Sequence, residues 1–292
     1  MDDALAHWLR LREPTDLASR SEALTRRIAD ALPVNAPVRI LDLATGTGSN
    51  IRYLADRLSV RSQEWLAVDR SPLLLEALPS RMASWAAERG CEGRVDAHRC
   101  LIRGAEIECR VETRQMDLGT LDGDDIFAGR HLVTASALLD LVSASWLDTL
   151  AARCREAGAC ALFAITYNGR STCAPLEPED EMVRTLMNRH QKTDKGLGGP
   201  AVGPDAVDAA ERSFTDAGYR VEREASDWAL GPGDGEFQQI LVEGWAQAAT
   251  GMAPDQAAPI ARWLDRRRAH IDTGRSRIVV GHDDLAAFTV AR

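Results

Sequence analysis

The segment VRILDLATGTGSN, residues 38–50, holds the most specific chemistry in the chain. Asp42, Ala44, Gly46 and Gly48 stand where a short apolar run passes through a turn into helical spacing. Glycines in such a turn let the backbone bend tightly and approach a ligand where a Cβ would block it. A helix starting just beyond aims its free N–H groups at the same ligand. A dinucleotide fingerprint, G-x-G-x-x-G, needs a third glycine where Ile51 stands, so the pyrophosphate reading fails on spacing. Asp42, ending the first apolar run, suits a cationic amino acid better than a phosphate. Asp69 ends a second apolar run, WLAVD, 21 residues after Gly48, where a carboxylate can accept bonds from both hydroxyls of a ribose.

Proton transfer has its own candidates. Ser136, Asp140 and Ser143 fall at i, i+4 and i+7, which on a helix is one face. Asp140 is there either a general base or substrate anchor, or a solvated aspartate favoured by the start of a helix. The stretch NRHQKTDKGLGG, residues 188–199, brings His190, Gln191, Asp194 and Lys195 into a polar, glycine-containing loop of the kind that binds substrate. His190 is either a base working near neutral pH or a core histidine. Lys195 either holds an anionic group or is solvated. Tyr167, ending a strand, points to the same sheet edge, and His282 starts the final extended stretch.

The elements that must position these groups alternate. Strands are expected at 38–43, 65–68, 107–115, 131–135 and 159–167, with helices at 51–58, 71–89 and 137–157 between them. This alternation predicts an α/β fold with a doubly wound, mostly parallel sheet and ligands outside the carboxyl ends of its strands. The N-terminal residues 1–32 read as helical and interrupted at Pro14. A proline-containing linker is expected at 171–178, helices at 179–191 and 205–217, and a sixth strand at 219–224. Helices at 236–249 and 254–271 and a last strand at 277–290 complete the chain. A single domain follows: lid 1–32, cofactor core 33–167, substrate-side segment 168–218, and 219–292 returning to the same sheet. The apolar stripes Phe237, Ile240, Leu241, Trp245 and Ile260, Trp263, Leu264 read as internal core or as an oligomer interface. The basic run RWLDRRR, residues 262–268, reads as a solvated helix face.

Asp42-Leu-Ala-Thr-Gly-Thr-Gly48 resembles motif I of the class I S-adenosylmethionine-dependent methyltransferases, with Ala44 in place of that motif's first glycine. Asp69, Asp117 in QMDL and the segment LVTASALLD, residues 132–140, match further stations of the family in order. The resemblance implies a Rossmann-like sheet of seven strands, S-adenosylmethionine as cofactor and a contact set for it. That set is Arg20, Asp42, Ala44, Thr45, Gly46, Gly48, Asn50, Asp69, Arg70, Met116, Asp117, Leu118 and Ala135. It places Asp117 on the adenine amino group. It offers Arg20, on the helix folded over the cofactor, to the cofactor carboxylate, unless Arg20 is a surface arginine. Asp140 and His190 are then the catalytic candidates, and Ser136, Ser143, Tyr167, Gln191, Asp194 and Lys195 the substrate contacts. The expected reaction is in-line methyl transfer to a small molecule. Non-methylating chemistry on the same cofactor, or a non-catalytic sensor, are the alternatives.

Composition narrows the acceptor. The 292 residues carry 35 Lys+Arg against 44 Asp+Glu, a net charge of −9, which disfavours bare nucleic acid and anionic membranes. The motifs of adenine, cytosine-C5 and ribose methylation are missing. The six cysteines show no metal-ligand spacing, and no metal is expected. No export signal or apolar span appears, so the chain reads as cytoplasmic, with reduced thiols, as a monomer or homodimer.

Overall fold

A computed structural model describes residues 2–121 and 126–289. The strands are β1 (Val38–Leu43), β2 (Ser62–Asp69), β3 (Glu92–Asp96), β4 (Arg99–Arg103), β5 (Glu108–Gln115), β6 (Leu132–Ser136), β7 (Cys160–Ala174), β8 (Tyr219–Ala225), β9 (Trp228–Leu230) and β10 (Arg277–Thr289). The helices are α1 (Asp2–Ser19), α2 (Glu22–Ala31), α3 (Ser49–Ala55), α4 (Pro72–Glu88), α5 (Ala144–Ala157), α6 (Asp180–Gln191), α7 (Ala206–Asp216), α8 (Gly235–Met252) and α9 (Ala257–Asp272).

All ten strands form one sheet in the order β3-β4-β5-β2-β1-β6-β7-β10-β8, with β9 on β10. The run β5-β2-β1-β6-β7 is parallel throughout, and β10 enters antiparallel between β7 and β8. Strand order reverses between β1 and β6, and that switch point is where a doubly wound sheet opens its ligand crevice. The alternation of β1 shows how the sheet is held. Ile40 packs with the helices of one face, and Leu41 and Leu43 pack with Trp146 and Leu150 of α5 on the other. A third apolar cluster joins β7 and β10 to α6, α8 and α9. It contains Phe237, Leu241, Trp245, Ile260 and Trp263, so these stripes are internal core.

Five expectations are corrected. Among the described residues the sheet has ten strands rather than seven; β9 and the β3–β4 hairpin are additional. The hairpin escaped because β3 is exposed along its whole length and so has no apolar alternation. Helix α1 runs through Pro14, and the chain turns instead at Arg20, where the Ser21 Oγ accepts the Leu24 N–H at 3.1 Å and caps α2. Residues 137–157 are not one helix: a 3-10 turn (Leu139–Leu141) precedes α5, whose N-cap is Ser143. The first half of the expected linker at 171–178 is strand, since β7 continues to Ala174. The basic run on α9 is not a solvated face. Arg267 is fully buried and donates to both oxygens of Asp180 and to the Pro175 carbonyl, while Arg266 pairs with Glu177 and Glu179. These ion pairs clamp α9 to the start of α6. Among the described residues, no helix is long and apolar enough to cross a membrane.

Candidate functional site

The site starts at the turn after β1. Asp42 is fully buried and accepts hydrogen bonds from the Thr45 hydroxyl at 2.5 Å and the Asn50 amide at 2.6 Å. Burial pushes its carboxyl up to about 6, against the pull of Thr45, Asn50 and Arg20. Asn50 also donates to Thr134 on β6 at 3.1 Å and accepts from Arg20 at 2.5 Å, so one amide ties the turn to its neighbouring strand and to the chain after α1. Arg20 is buried over the Tyr53 ring, and among the described residues its Nε and Nη2 have no partner. Gly48 adopts φ +83°, and a Cβ there would lie 3.0 Å from Leu78. This turn therefore requires glycine by conformation and by space.

Asp69, ending β2, closes the next edge. One carboxylate oxygen accepts the Gly46 N–H at 2.8 Å and the other the Ser71 N–H at 2.9 Å. Each oxygen retains a lone pair on its outer side. Asp69, Arg70, Ser71, Leu74 and Leu118 form one wall of a cavity of about 480 Å³ whose floor is Ala44–Thr47 with Ser49 and Asn50. That volume lies in the range of small-molecule sites, about 300–1,000 Å³.

Helix α1 roofs the cavity. Leu5, Trp8, Leu9, Arg12 and Asp16 face it at i, i+3, i+4, i+7 and i+11. The roof is anchored by Trp228 of β9, whose indole donates to Asp16 at 3.0 Å, and by edge contacts among Trp8, Trp228 and Phe237. The far wall is Ser136, Ala137, Leu138, Leu141, Lys195 and Leu197. Two lining residues other than glycine take left-handed φ, Ala44 at 51° and Ala137 at 54°, and Ile165 of β7, outside the lining, takes 54°. For a β-branched residue such as Ile165 this is costly, and such strain gathers at binding sites. Asp284 holds Ile165 in place by accepting its N–H at 2.8 Å.

Asp140 sits behind this wall, buried on the 3-10 turn, with the Tyr167 N–H directed at its carboxylate and the charges of Arg12 and Lys195 acting on it. Burial raises its carboxyl to about 6. Lys195 donates to the His190 carbonyl at 3.0 Å and the Thr193 hydroxyl at 2.9 Å, and burial lowers its pKa. His282 lies inside β10, not at its start. Its ring packs 4.5 Å from Trp228 and 6.0 Å from Tyr167, and burial beside Arg12 lowers its pKa to about 3, so it is neutral.

The residues expected from sequence divide accordingly. Ala44, Thr45, Gly46, Asn50, Asp69, Arg70, Leu118, Ser136 and Lys195 line the cavity. Asp42, Gly48, Arg20 and Ala135 lie behind that lining and support it. Met116 links β5 to β2 through its N–H to the Asp69 carbonyl, while Asp117 is exposed and bonds the Gly119 N–H. Ser143 is spent capping α5, and Tyr167 donates to Asn188. His190, Gln191 and Asp194 stand outside the lining; Asp194 is exposed and bonds the Gly196 N–H. The stripe on α1 was missed, although its helical spacing was present in the sequence.

No family model matches the chain, and no curated relative does. Solved structures resemble it in fold at low identity. The YcgJ protein of Bacillus subtilis is 13% identical, covering 93% of this chain and 100% of its own, with a TM-score of 0.48. The cyclopropane synthase MmaA2 of Mycobacterium tuberculosis is 11% identical over 90% of this chain and 82% of its own, with a TM-score of 0.43. The S-adenosylmethionine-dependent methyltransferase SibL is 19% identical over 75% of this chain and 52% of its own, with a TM-score of 0.42. By its own strand order, its switch point and the turn after β1, the chain has the doubly wound, Rossmann-like fold on which S-adenosylmethionine-dependent methyltransferases are built.

Proposed function

We propose that this protein is an S-adenosylmethionine-dependent methyltransferase acting on a small molecule. The observation that carries the reading is the roofed cavity at the β1/β6 switch point. Its floor is the Ala44–Asn50 turn, and the Asp69 carboxylate stands at its edge with lone pairs free. These residues fit the cofactor. Asp69 would accept from the ribose hydroxyls, Leu74 and Leu118 would flank the adenine, and Thr45, Gly46 and Asn50 would face the amino-acid end. Gly46 matters by conformation, since it holds φ +57° in the left-handed region. Asp117, exposed as it stands, does not join this set.

When bound, S-adenosylmethionine supplies an electrophilic methyl on a cationic sulfur. The chain's own residues do the rest. Helix α1 excludes water and fixes the acceptor against the far wall, which aligns the reacting atoms. Asp140, with its carboxyl near 6, is ionised at neutral pH and stands behind the far wall, where the charges of Arg12 and Lys195 act on it. His282, neutral and buried, holds the aromatic wall rather than a proton.

Titration calorimetry tests the reading. S-adenosylmethionine and its demethylated product should both bind the purified protein. Incubation with an acceptor should yield the demethylated cofactor and a product heavier by one methylene. Absence of binding by either nucleoside at millimolar concentration overturns the reading, and cofactor consumption without a methylated product shifts it to other chemistry.

A further inference from the structure

Two cations in the cavity have no role in the contacts assigned to the cofactor. Arg12 spends Nε on Asp16 Oδ2 at 2.8 Å, and its guanidinium lies 5.2 Å from the centre of the Trp228 ring. Among the described residues its Nη groups have no hydrogen-bond partner, and Arg12 lines the cavity. Asp16 takes the Trp228 indole on its other oxygen at 3.0 Å, so it holds Arg12 by Nε alone. Lys195 uses two of its three protons, on the His190 carbonyl and the Thr193 hydroxyl, and also lines the cavity. Both charges act on Asp140, which pairs with neither directly. The lining also includes the apolar Trp8, Leu138, Leu141 and Leu197. Arg12 is charge-paired with Asp16, so what it offers the cavity is its open Nη edge, and Lys195 offers a third proton.

We propose that the methyl acceptor carries a carboxylate, which bridges the Arg12 Nη groups and the Lys195 ammonium and seats the nucleophilic atom in the cavity. The inference rests on the methyltransferase reading. A planar guanidinium edge matches a carboxylate bidentately, and the lysine adds a point charge. In the transfer, a lone pair of the acceptor atom forms the new bond to the methyl carbon. The electron pair of the broken carbon–sulfur bond stays on sulfur, and the acceptor's proton leaves to water.

A carboxylate could also come from the cofactor's own amino-acid end, so the experiment separates the two sources. The protein is saturated with S-adenosylhomocysteine and titrated with propanoate and benzoate, with their primary amides, and with inorganic phosphate. Carboxylates should bind about tenfold or more tightly than the amides, as expected for charge-assisted hydrogen bonds. Lys195→Met should erase that preference while the affinity for S-adenosylhomocysteine stays within about twofold. Arg12→Met should do the same, and Arg12→Lys, which keeps a charge and most of the packing, guards against a misfolded roof.

Carboxylates binding no better than amides overturn the proposal, as does preference for phosphate. It also fails if Lys195→Met weakens S-adenosylhomocysteine tenfold but leaves 5′-methylthioadenosine, which lacks the carboxylate, unchanged. Failure of S-adenosylhomocysteine to bind at all is a different result: it sinks the methyltransferase reading, while carboxylate binding to the unliganded protein still reports on the two cations.

Discussion

The two halves of the cavity are built in opposite ways. The half around Asp69 comes from one strand-turn-helix unit and the strand beside it. Asp42, Thr45 and Asn50 fix one another within a few residues, and Asp69 holds Gly46 from the adjacent strand. The half around Asp140 has no such unit. Its walls come from α1, the 3-10 turn after β6 and the loop after α6, and they meet only when the whole molecule has folded. The first half is thus a local structure with internal ties. The second is an assembly that can change one wall without disturbing the others. A shared cofactor with a variable acceptor requires this division, since binding loops vary more freely than the scaffold under them.

Glycine substitution breaks the comparison most sharply. Gly48→Ala puts a Cβ 3.0 Å from Leu78 at φ +83°. A left-handed alanine costs about 1–2 kcal/mol, and overpacking adds about 1–3 kcal/mol. Denaturant titration should show a loss of about 3 kcal/mol, together with lost binding of S-adenosylhomocysteine. A stable variant that binds normally would show that the turn is looser than its packing implies.

Asp69→Ala probes the same half with less damage to the fold. It removes the acceptor of the Gly46 N–H and the proposed partner of the ribose. Calorimetry should show binding of S-adenosylhomocysteine weaker by about 1–3 kcal/mol. Propanoate binding by the saturated complex should be unchanged. Loss of both together would mean that the halves are coupled.

This division also sets what the sequence could disclose. The turn was legible because glycine spacing, the acidic strand ends and the apolar runs all fall within short windows. β1 matches its expected span, Val38–Leu43, because a strand buried on both faces reads as a continuous apolar run. Asp140 was found as a residue but misplaced. The apolar spacing of Leu139, Val142 and Trp146 mimics a helix, whereas Ser143 competes for the backbone and starts the helix later. Arg12 went unnoticed because an arginine on a helix looks solvated until the strand opposite is known. The turn before α2 was placed at Pro14 because a proline inside a helix normally breaks it, whereas the break lies at Arg20.

Two buried groups behind the assembled half should respond to pH in opposite senses. Asp140 has a folded-state pKa of about 6 against an ordinary 3.8, so the folded chain holds that proton more tightly. Its contribution to stability is full below about 4 and is lost as pH rises through about 6. Relative to Asp140→Asn, the parent should lose on the order of 2 kcal/mol across that window. His282 acts in the opposite sense. Its folded value, about 3, lies below the ordinary 6.5, so its contribution is present above 6.5 and lost as pH falls toward 3. Chemical denaturation of parent, Asp140→Asn and His282→Asn chains between pH 4 and pH 8 separates the two. A parent and Asp140→Asn that run parallel would show that burial does not raise the Asp140 carboxyl.

The smallest effect is the most discriminating. Gly196 has φ +78°, close to that of Gly48, but no atom lies within 4 Å of the position its Cβ would take. Gly196→Ala thus carries the conformational cost without the overpacking, about 1 kcal/mol. The residue follows Lys195, and its N–H is held by Asp194 at 2.7 Å, so the strain falls on the wall that presents the ammonium. The expected result is a small loss of stability, unchanged affinity for S-adenosylhomocysteine, and weaker binding of propanoate to the saturated complex. The two alanine variants then form a matched pair with similar backbone strain, one in the locally tied half and one in the assembled half. If Gly196→Ala lowered cofactor affinity as Gly48→Ala does, the loop after α6 would belong to the cofactor's half, and the carboxylate assigned to Lys195 would have to be the cofactor's own.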